Sequence, residues 1–294
     1  MANNASHRLR DWLLSLYQYL LPQHILSLLI YHFTRHKIRW LTQLEIHLFR
    51  IIFRVNMDEA KIPYAKEYPN FNTFFSRALR ESVRPIAKHG EIACPVDGHI
   101  SQIGTLNRGK LIQAKGWHYQ LTDLLGHPQI SLDSFYQGSF ATFYLHPRDY
   151  HRVHMPLDGH LEEMIYIPGR LFSVSPKTVN GVPHLFSHNE RVINIFNTEI
   201  GPMIMILVGA IFVGSIETVW AGQITPPYQG HTRHWGYTEE NKIPKLSKGQ
   251  EMGRFNMGST VILIFPTKSM KWLSHLSPNT HVLIGQSVGI LNKS

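Results

Sequence analysis

The chain reads as an α+β protein, with an N-terminal amphipathic helical region followed by a β-rich, mainly antiparallel domain. Two observations predict this. Up to about residue 55, apolar residues recur at steps of three and four, the spacing of one helix face. From about residue 90 they gather in short β-branched and aromatic runs divided by Gly, Pro, Asn and Asp, the texture of strands and turns. The boundary falls near residue 65, giving a helical region over 1–65 and a β-rich domain over 66–294.

Three helical stretches are expected. Leu13, Leu14, Leu16, Tyr17, Leu20 and Leu21 precede Pro22, and Ile25, Leu26, Leu28, Leu29, Ile30 and Phe33 follow it. Trp40, Leu41, Leu44, Leu48, Ile51, Ile52 and Val55 repeat the pattern, with Arg50 and Arg54 among them. No stretch reaches the roughly 18 to 20 apolar residues that a spanning helix needs. Asp11, Gln18, Pro22, Gln23 and His24 also break the apolar run that a signal peptide requires.

Of 294 residues, 43% are apolar and 17% charged, a balance that can build a sizeable core, and the formal charge is +9. An excess of that size implies an acidic partner surface, either nucleic acid or anionic lipid. Its location favours lipid. Residues 1–56 hold Arg8, Arg10, Arg35, Lys37, Arg39, Arg50 and Arg54 against Asp11 and Glu45, within the most amphipathic part of the chain. The competing expectation is that these helices cap the core of a soluble domain. The lone cysteine, Cys94, excludes an intrachain disulfide and reads as a small buried residue.

In the second half, Phe140 to Leu145 and Val192 to Phe196 read as strands, and Met203 to Val213 as a buried one. Residues 223–248, rich in Pro, Gly and His, read as a long excursion.

Three segments carry side chains suited to chemistry. His146, Asp149, His151 and His154 crowd one stretch; they offer metal-ligand chemistry, but no zinc spacing with Cys pairs or HExxH accompanies them. Gly258-Ser259 stands directly before the apolar run Val261 to Phe265, and a glycine there lets the following hydroxyl approach the preceding carbonyl. Pro95-Val-Asp97-Gly98 is a turn by composition. An Asp, a His and a Ser brought together form a relay: the carboxylate orients the imidazole, which takes the hydroxyl proton.

Together these blocks resemble the bacterial-type phosphatidylserine decarboxylases, from about Tyr68 to the C-terminus. The resemblance is carried by Phe71 to Arg77 with Arg84-Pro85-Ile86, Pro95 to Gly104, Ile112 to Gly116, Pro147 to Pro156, Val213 to Gly222, and Gly258-Ser259-Thr260. Met257 stands where that family usually has Leu, a volume-conserving exchange.

The resemblance implies a proenzyme that cuts itself between Gly258 and Ser259. Ser259 attacks the Gly258 carbonyl, the ester eliminates, and hydrolysis leaves Ser259 as a covalently bound pyruvoyl group, with no pyridoxal phosphate and no metal. It implies Asp97, His154 and Ser259 as the maturation triad and His151 as the decarboxylation histidine. The substrate amine would form a Schiff base with the pyruvoyl, giving phosphatidylethanolamine. It further implies that the two cleavage chains stay associated and that the enzyme is a homodimer peripheral to the cytoplasmic face of a bacterial inner membrane, with phosphatidylserine and the anionic membrane surface as partners and no nucleic acid. Arg148, Arg152 and Lys115 are candidates by charge for the glycerophosphate. Two other readings use the same residues: a Ser-His-Asp lipid or ester hydrolase without self-cleavage, and a non-catalytic membrane adaptor. The first lacks a Gly-x-Ser-x-Gly elbow around Ser259.

Overall fold

The structure, a computed structural model, describes residues 16–114, 117–126, 128–212, 215–228, 230–238, 243–257 and 260–292. Leu13, Leu14, Lys115, Gly116, Val213, Gly214, Gly258 and Ser259, all singled out above, lie outside the described residues.

Residues 16–20 are helical, followed by α1 (Gln23–Phe33) and α2 (Arg39–Phe53). Short helices follow at α3 (Phe71–Phe75), α4 (Leu121–Leu125), α5 (Pro176–Gly181) and α6 (Leu185–His188). Pro22 divides the first two helical stretches because its ring excludes the donor a continuous helix needs. Helix α2 ends where Arg54 turns left-handed at φ 53° and the Val55 N–H closes on the Arg50 carbonyl.

The helices turn an unexpected face inward. Gln18, Gln23, Ser27, Thr34 and Thr42 are buried, while Leu20 is 88% exposed, Trp40 70% and Ile52 68%. The buried side chains are matched to backbone groups. Gln18 Oε1 accepts from the Ser173 N–H at 2.8 Å, Gln23 Oε1 from the Leu171 N–H at 2.8 Å, and Ser27 Oγ from the Phe212 N–H at 3.1 Å. Helix α2 also buries an apolar side chain, Ile46, with Phe49 and Phe53 packed against Phe71, Phe74 and Phe75 of α3 in a small second core.

Among the described residues the chain also forms eighteen strands. The first six are β1 (Glu91–Ala93), β2 (Gly98–Thr105), β3 (Lys110–Ala114), β4 (Trp117–Gln120), β5 (Ser139–Tyr144) and β6 (Arg152–His154). Next come β7 (Gly159–Ile167), β8 (Arg191–Thr198), β9 (Gly201–Val208), β10 (Ile216–Thr218), β11 (Gly222–Thr225) and β12 (Arg233–Gly236). The last are β13 (Lys245–Leu246), β14 (Glu251–Phe255), β15 (Thr260–Phe265), β16 (Met270–Trp272), β17 (His281–Val282) and β18 (Ser287–Leu291).

The main sheet runs β12-β7-β8-β9-β15-β5-β2-β17, with β13 also on β7, and every pair of named strands among the described residues is antiparallel. A second sheet runs β11-β10-β14-β6, a third β1-β18-β16, and β3 with β4 forms a hairpin. All six residues of β15 are buried, as expected for a strand paired on both sides inside the core. Between β1 and β2 the chain bends at Val96 and Asp97. A Cβ on Gly98 would sit 2.4 Å from the Tyr144 carbonyl oxygen, so only glycine lets β2 close on β5 there.

The expected strands at Phe140 to Leu145 and Val192 to Phe196 are present as β5 and β8, and the apolar run after Met203 lies in β9, which ends at Val208. Residues 223–248 differ from a plain excursion. They finish β11 and contain β12 and β13, the latter two pairing with the outer edge of β7. These strands are short and polar because they sit at an edge.

The buried glutamine contacts make a direct prediction. Gln23→Leu adds apolar surface yet is expected to destabilise the protein by about 1–3 kcal/mol in chemical unfolding, because the buried Leu171 N–H loses its acceptor. A stability gain would show that this amide finds another partner.

Candidate active site

Asp97, His151 and His154 come from three neighbouring pieces of chain. Asp97 lies at the bend before β2, His151 directly before β6 and His154 at the end of β6. The His154 N–H donates to the Pro95 carbonyl at 2.9 Å, which ties the end of β6 to that bend. The Phe255 N–H, at the end of β14, donates to the His151 carbonyl at 3.0 Å. Thr260, the first residue of β15, lies opposite Tyr144, which also faces His99 of β2.

Asp97 is buried and fully occupied. Arg84 grips it through Nη2 to Oδ2 at 2.7 Å and Nε to Oδ1 at 3.3 Å, and the Ile284 N–H donates to Oδ1 at 2.7 Å. Arg84 Nη2 also reaches Glu59 at 2.7 Å, and these two carboxylates hold the guanidinium above its ordinary value against the cost of burial.

His154 has both ring nitrogens engaged. Nδ1 lies 2.7 Å from the Gly249 carbonyl and Nε2 3.1 Å from the Tyr150 hydroxyl. A carbonyl only accepts, so Nδ1 carries the proton, and Nε2 accepts from Tyr150. Burial is the main force lowering the proton affinity of His154, partly offset by the Gly249 carbonyl. Asp97 and His154 share no direct hydrogen bond among the described contacts.

His151 is wholly buried. Its ring stacks on Phe75 with centroids 4.2 Å apart and planes 24° apart. Neither ring nitrogen meets a partner in hydrogen-bond geometry among the described residues. Desolvation, then the charge of Arg77, push its pKa down to about 3, with the Pro147 and His146 carbonyls offsetting part of the effect. His151 is therefore a neutral imidazole with spare hydrogen-bonding capacity.

Phe75 also lines an apolar cavity of about 380 Å³ with Phe49, Phe53, Tyr144, Phe212 and Met257. A more polar cavity of about 630 Å³, containing His99, Ser101, His118 and Asn180, shares Tyr144 and Val174 with it. Of the cationic candidates, Arg152 is committed to Glu251 at 2.8 Å and to the Ser76 carbonyl, whereas Arg148 is half exposed beside Asp149. Asp149 accepts from the His146 N–H at 2.8 Å, so the histidine-rich stretch is split among different partners. Among the described residues, no three His, Cys, Asp or Glu side chains converge as a metal set.

Sequence reasoning missed Tyr150, Gly249, Arg84 and Phe75 as parts of the site. Three of these lay within the quoted blocks, but nothing in linear order pairs Tyr150 with His154 or Arg84 with Asp97. Gly249 acts through its carbonyl, which leaves no side-chain signal. Cys94 is buried as expected, with its thiol pushed up by desolvation.

An antiparallel core with a buried Asp and two neutral histidines, one of them stacked on Phe75 in the wall of an apolar cavity, defines a candidate enzyme of apolar or lipid substrates. Comparison with known proteins is more specific. Residues 71–290 match the family model described as phosphatidylserine decarboxylase, and residues 13–53 match a model described as PSD. The chain is 61% identical to the phosphatidylserine decarboxylase proenzyme of Nitrosococcus oceani over 99% of this chain and 95% of that protein. It is 47% identical to the proenzymes of Ectopseudomonas mendocina, over 96% and 99% of the two chains, and Dechloromonas aromatica, over 95% and 98%. The chain belongs to the phosphatidylserine decarboxylase family and is a carboxy-lyase.

The state of His151 sets a pH dependence. Below its ordinary 6.5 the unfolded chain takes up a proton that the folded one, near 3, does not. Its contribution to stability is thus complete above 6.5 and is lost as pH falls towards 3. In a Ser259→Ala background, His151→Gln is expected to narrow the stability gap between about pH 7.5 and about pH 4.5 by about 2–3 kcal/mol in urea unfolding. An unchanged gap would mean that His151 is protonated in the fold.

Proposed function

We propose that this chain is a self-cleaving, membrane-associated phosphatidylserine decarboxylase, in which the Gly258–Ser259 bond breaks and Ser259 becomes a pyruvoyl group. The observation that carries the reading is the neutral pair His151 and His154 at β6, the strand paired with β14, His154 opposite its start at Glu251 and His151 bonded to its end at Phe255, from which the chain passes through Gly258-Ser259 to β15. His154 has an unprotonated Nε2 suited to taking the hydroxyl proton of Ser259 once Tyr150 yields its place. Asp97, anchored by Arg84 and Ile284, supplies the fixed negative charge of the triad.

The residues present fit a pyruvoyl group. The neutral His151 offers one N–H to a carbonyl or carboxylate oxygen and one lone pair to a proton, neither engaged in hydrogen-bond geometry among the described residues, and the adjacent cavity is apolar. When formed, such a group supplies an electrophilic carbonyl that draws electrons from the bond to the departing carboxylate, a capacity no standard side chain has. His151 is assigned to meet the substrate carboxylate or to handle the proton that replaces it. Phe75 holds the His151 ring in place by stacking.

The apolar cavity, bounded by Ile30 of α1 and by Phe49 and Phe53 of α2, suits the glycerol and first acyl carbons of a diacyl lipid. The outward apolar faces of the same helices, with Arg39, Arg50 and Arg54, suit the surface of an anionic bilayer. No helix among the described residues is long and apolar enough to cross one. The assignment extends to a helical membrane-associating region over 1–65 and a catalytic region over 66–294, to a homodimer, and to the cytoplasmic face of a bacterial inner membrane.

Intact mass after denaturation tests the chemistry. The wild type is expected as two chains, the smaller being residues 259–294 with a borohydride-reducible keto cap. Ser259→Ala is expected as one inactive chain, and His151→Ala as a cut enzyme at least about a hundredfold slower. A fully active single chain would sink the proposal and favour a hydrolase-like site. For the membrane, Ile51→Asp with Ile52→Asp is expected to abolish flotation with phosphatidylserine-containing vesicles, and retained flotation would reject the helices as the contact.

A further inference from the structure

Asn256 stands two residues before Gly258 and is 1% exposed, an expensive place for an amide unless each polar atom is matched. It is matched throughout. Its N–H donates to the Ser215 carbonyl at 3.0 Å, Nδ2 donates to Glu217 Oε1 at 2.9 Å and to Ser215 Oγ, and Oδ1 accepts from Asn72 Nδ2 at 3.1 Å.

Two of these partners are themselves held by the N-terminal helices. Asn72 belongs to α3, and its N–H donates to the Thr34 carbonyl, just past the end of α1, at 2.8 Å. Ser215 Oγ also accepts from Arg35 Nη2 at 3.3 Å, and the Arg35 guanidinium lies 3.7 Å over the Tyr31 ring of α1. The corner after α1 therefore braces the residue that leads into Gly258-Ser259 from two directions. On the other side Thr260 is fixed between Tyr144 and Val208 in the main sheet. The link between β14 and β15 is tied at each end to a different sheet.

We propose that Asn256 is a positioning residue for self-cleavage, and that the corner formed by Thr34 and Arg35 completes its clamp, so that the helical region serves maturation as well as the lipid surface. This rests on the self-cleavage reading. In its first step the Ser259 Oγ bonds to the Gly258 carbonyl carbon, the peptide C–N bond breaks, and the hydroxyl proton passes by way of a base to the freed nitrogen. Elimination then removes the Ser259 Cα proton and breaks the Cβ–O bond. Neither step consumes a co-reactant, so the first depends on how closely the hydroxyl meets the carbonyl. A fixed approach just upstream limits the search, and small displacements cost large factors in rate.

The test follows appearance of the chain 259–294 from freshly translated full-length precursor, by denaturing mass spectrometry. Asn256→Leu is expected to slow cutting about tenfold or more, and Asn72→Leu and Arg35→Met about three- to tenfold. The Asn256→Leu/Asn72→Leu double variant should fall within about twofold of the slower single, because both remove one shared bond. Hydroxylamine, which splits esters, should not accelerate Asn256→Leu, since the ester itself forms slowly.

Fold integrity is compared by thermal melting in the uncleavable Ser259→Ala background. Should Asn256→Leu fail to fold, Arg35→Met, at a partly exposed side chain, decides alone. Cutting at the wild-type rate by the folded variants overturns the proposal, as does hydroxylamine-accelerated splitting of Asn256→Leu, which would place the defect after the ester. Slowing that merely tracks lost folded fraction in both Asn256→Leu and Arg35→Met also overturns it. A wild-type precursor that never splits would instead sink the underlying self-cleavage reading.

Discussion

The structure depends on one strand. Residues Thr260 to Phe265 lie between β5 and β9, bonded on both sides and buried on both faces. Burying each of the larger apolar side chains in this run stabilises by about 1.5–3 kcal/mol, so β15 alone is worth on the order of 10 kcal/mol before entropy is counted. Downstream, β16 and β18 pair with each other, β18 with β1, and β17 with β2. A chain severed just ahead of β15 would therefore remain in place without any covalent tie. Under the proposed chemistry, the break falls where the fold loses least: at a link between sheets, next to a strand that cannot leave.

The helices obey the opposite logic. A helix that caps a soluble core puts its apolar stripe inward. Here Gln18, Gln23 and Ser27 point inward and satisfy backbone N–H groups of the segments around Leu171 to Ser173 and Phe212. Hydrogen bonds from buried polar side chains tie Gln18 and α1 to the β-rich part, and Leu20, Ile25 and Leu29, like Trp40 and Ile52 of α2, are left outward. Scattered exposed apolar residues need no explanation, but a run of them along consecutive helices does. The same segments around Ser173 and Phe212 line the apolar cavity, so the outward face and the candidate substrate space share their supports.

Much of this was legible in the sequence, and the rest was hidden for definite reasons. Spacing located the helices, yet it did not tell which stripe faces inward, because Gln23 and Ser27 sit among leucines and their value lies in distant N–H groups. The apolar runs of β5, β8, β9 and β15 announced themselves, since strands buried on both faces need little alternation. Strands β12 and β13 did not, because their pairing with β7 is decided by tertiary contact at an edge. At the site, the residue types were visible and their partners were not. Arg84 reaches Asp97 from the far side of β1, and the contacts of Asn256 reach Asn72 and Ser215, far away in the chain.

The contrast between the two histidines separates their proposed tasks. His154 is oriented by the Gly249 carbonyl, and that geometry requires glycine. Gly249 adopts φ +82°, and a Cβ there would meet Ile86 at 2.8 Å. A carbonyl fixes the imidazole tautomer but stabilises the imidazolium less than a carboxylate would, while Tyr150 spends a hydrogen bond favouring the neutral ring. Such a base would be weak but held in one orientation. For the proposed cut, made once per molecule, that combination would suffice, because placement can supply what basicity lacks. Repeated turnover is instead the task proposed for His151, whose ring nitrogens meet no partner in hydrogen-bond geometry among the described residues and so stay open to substrate.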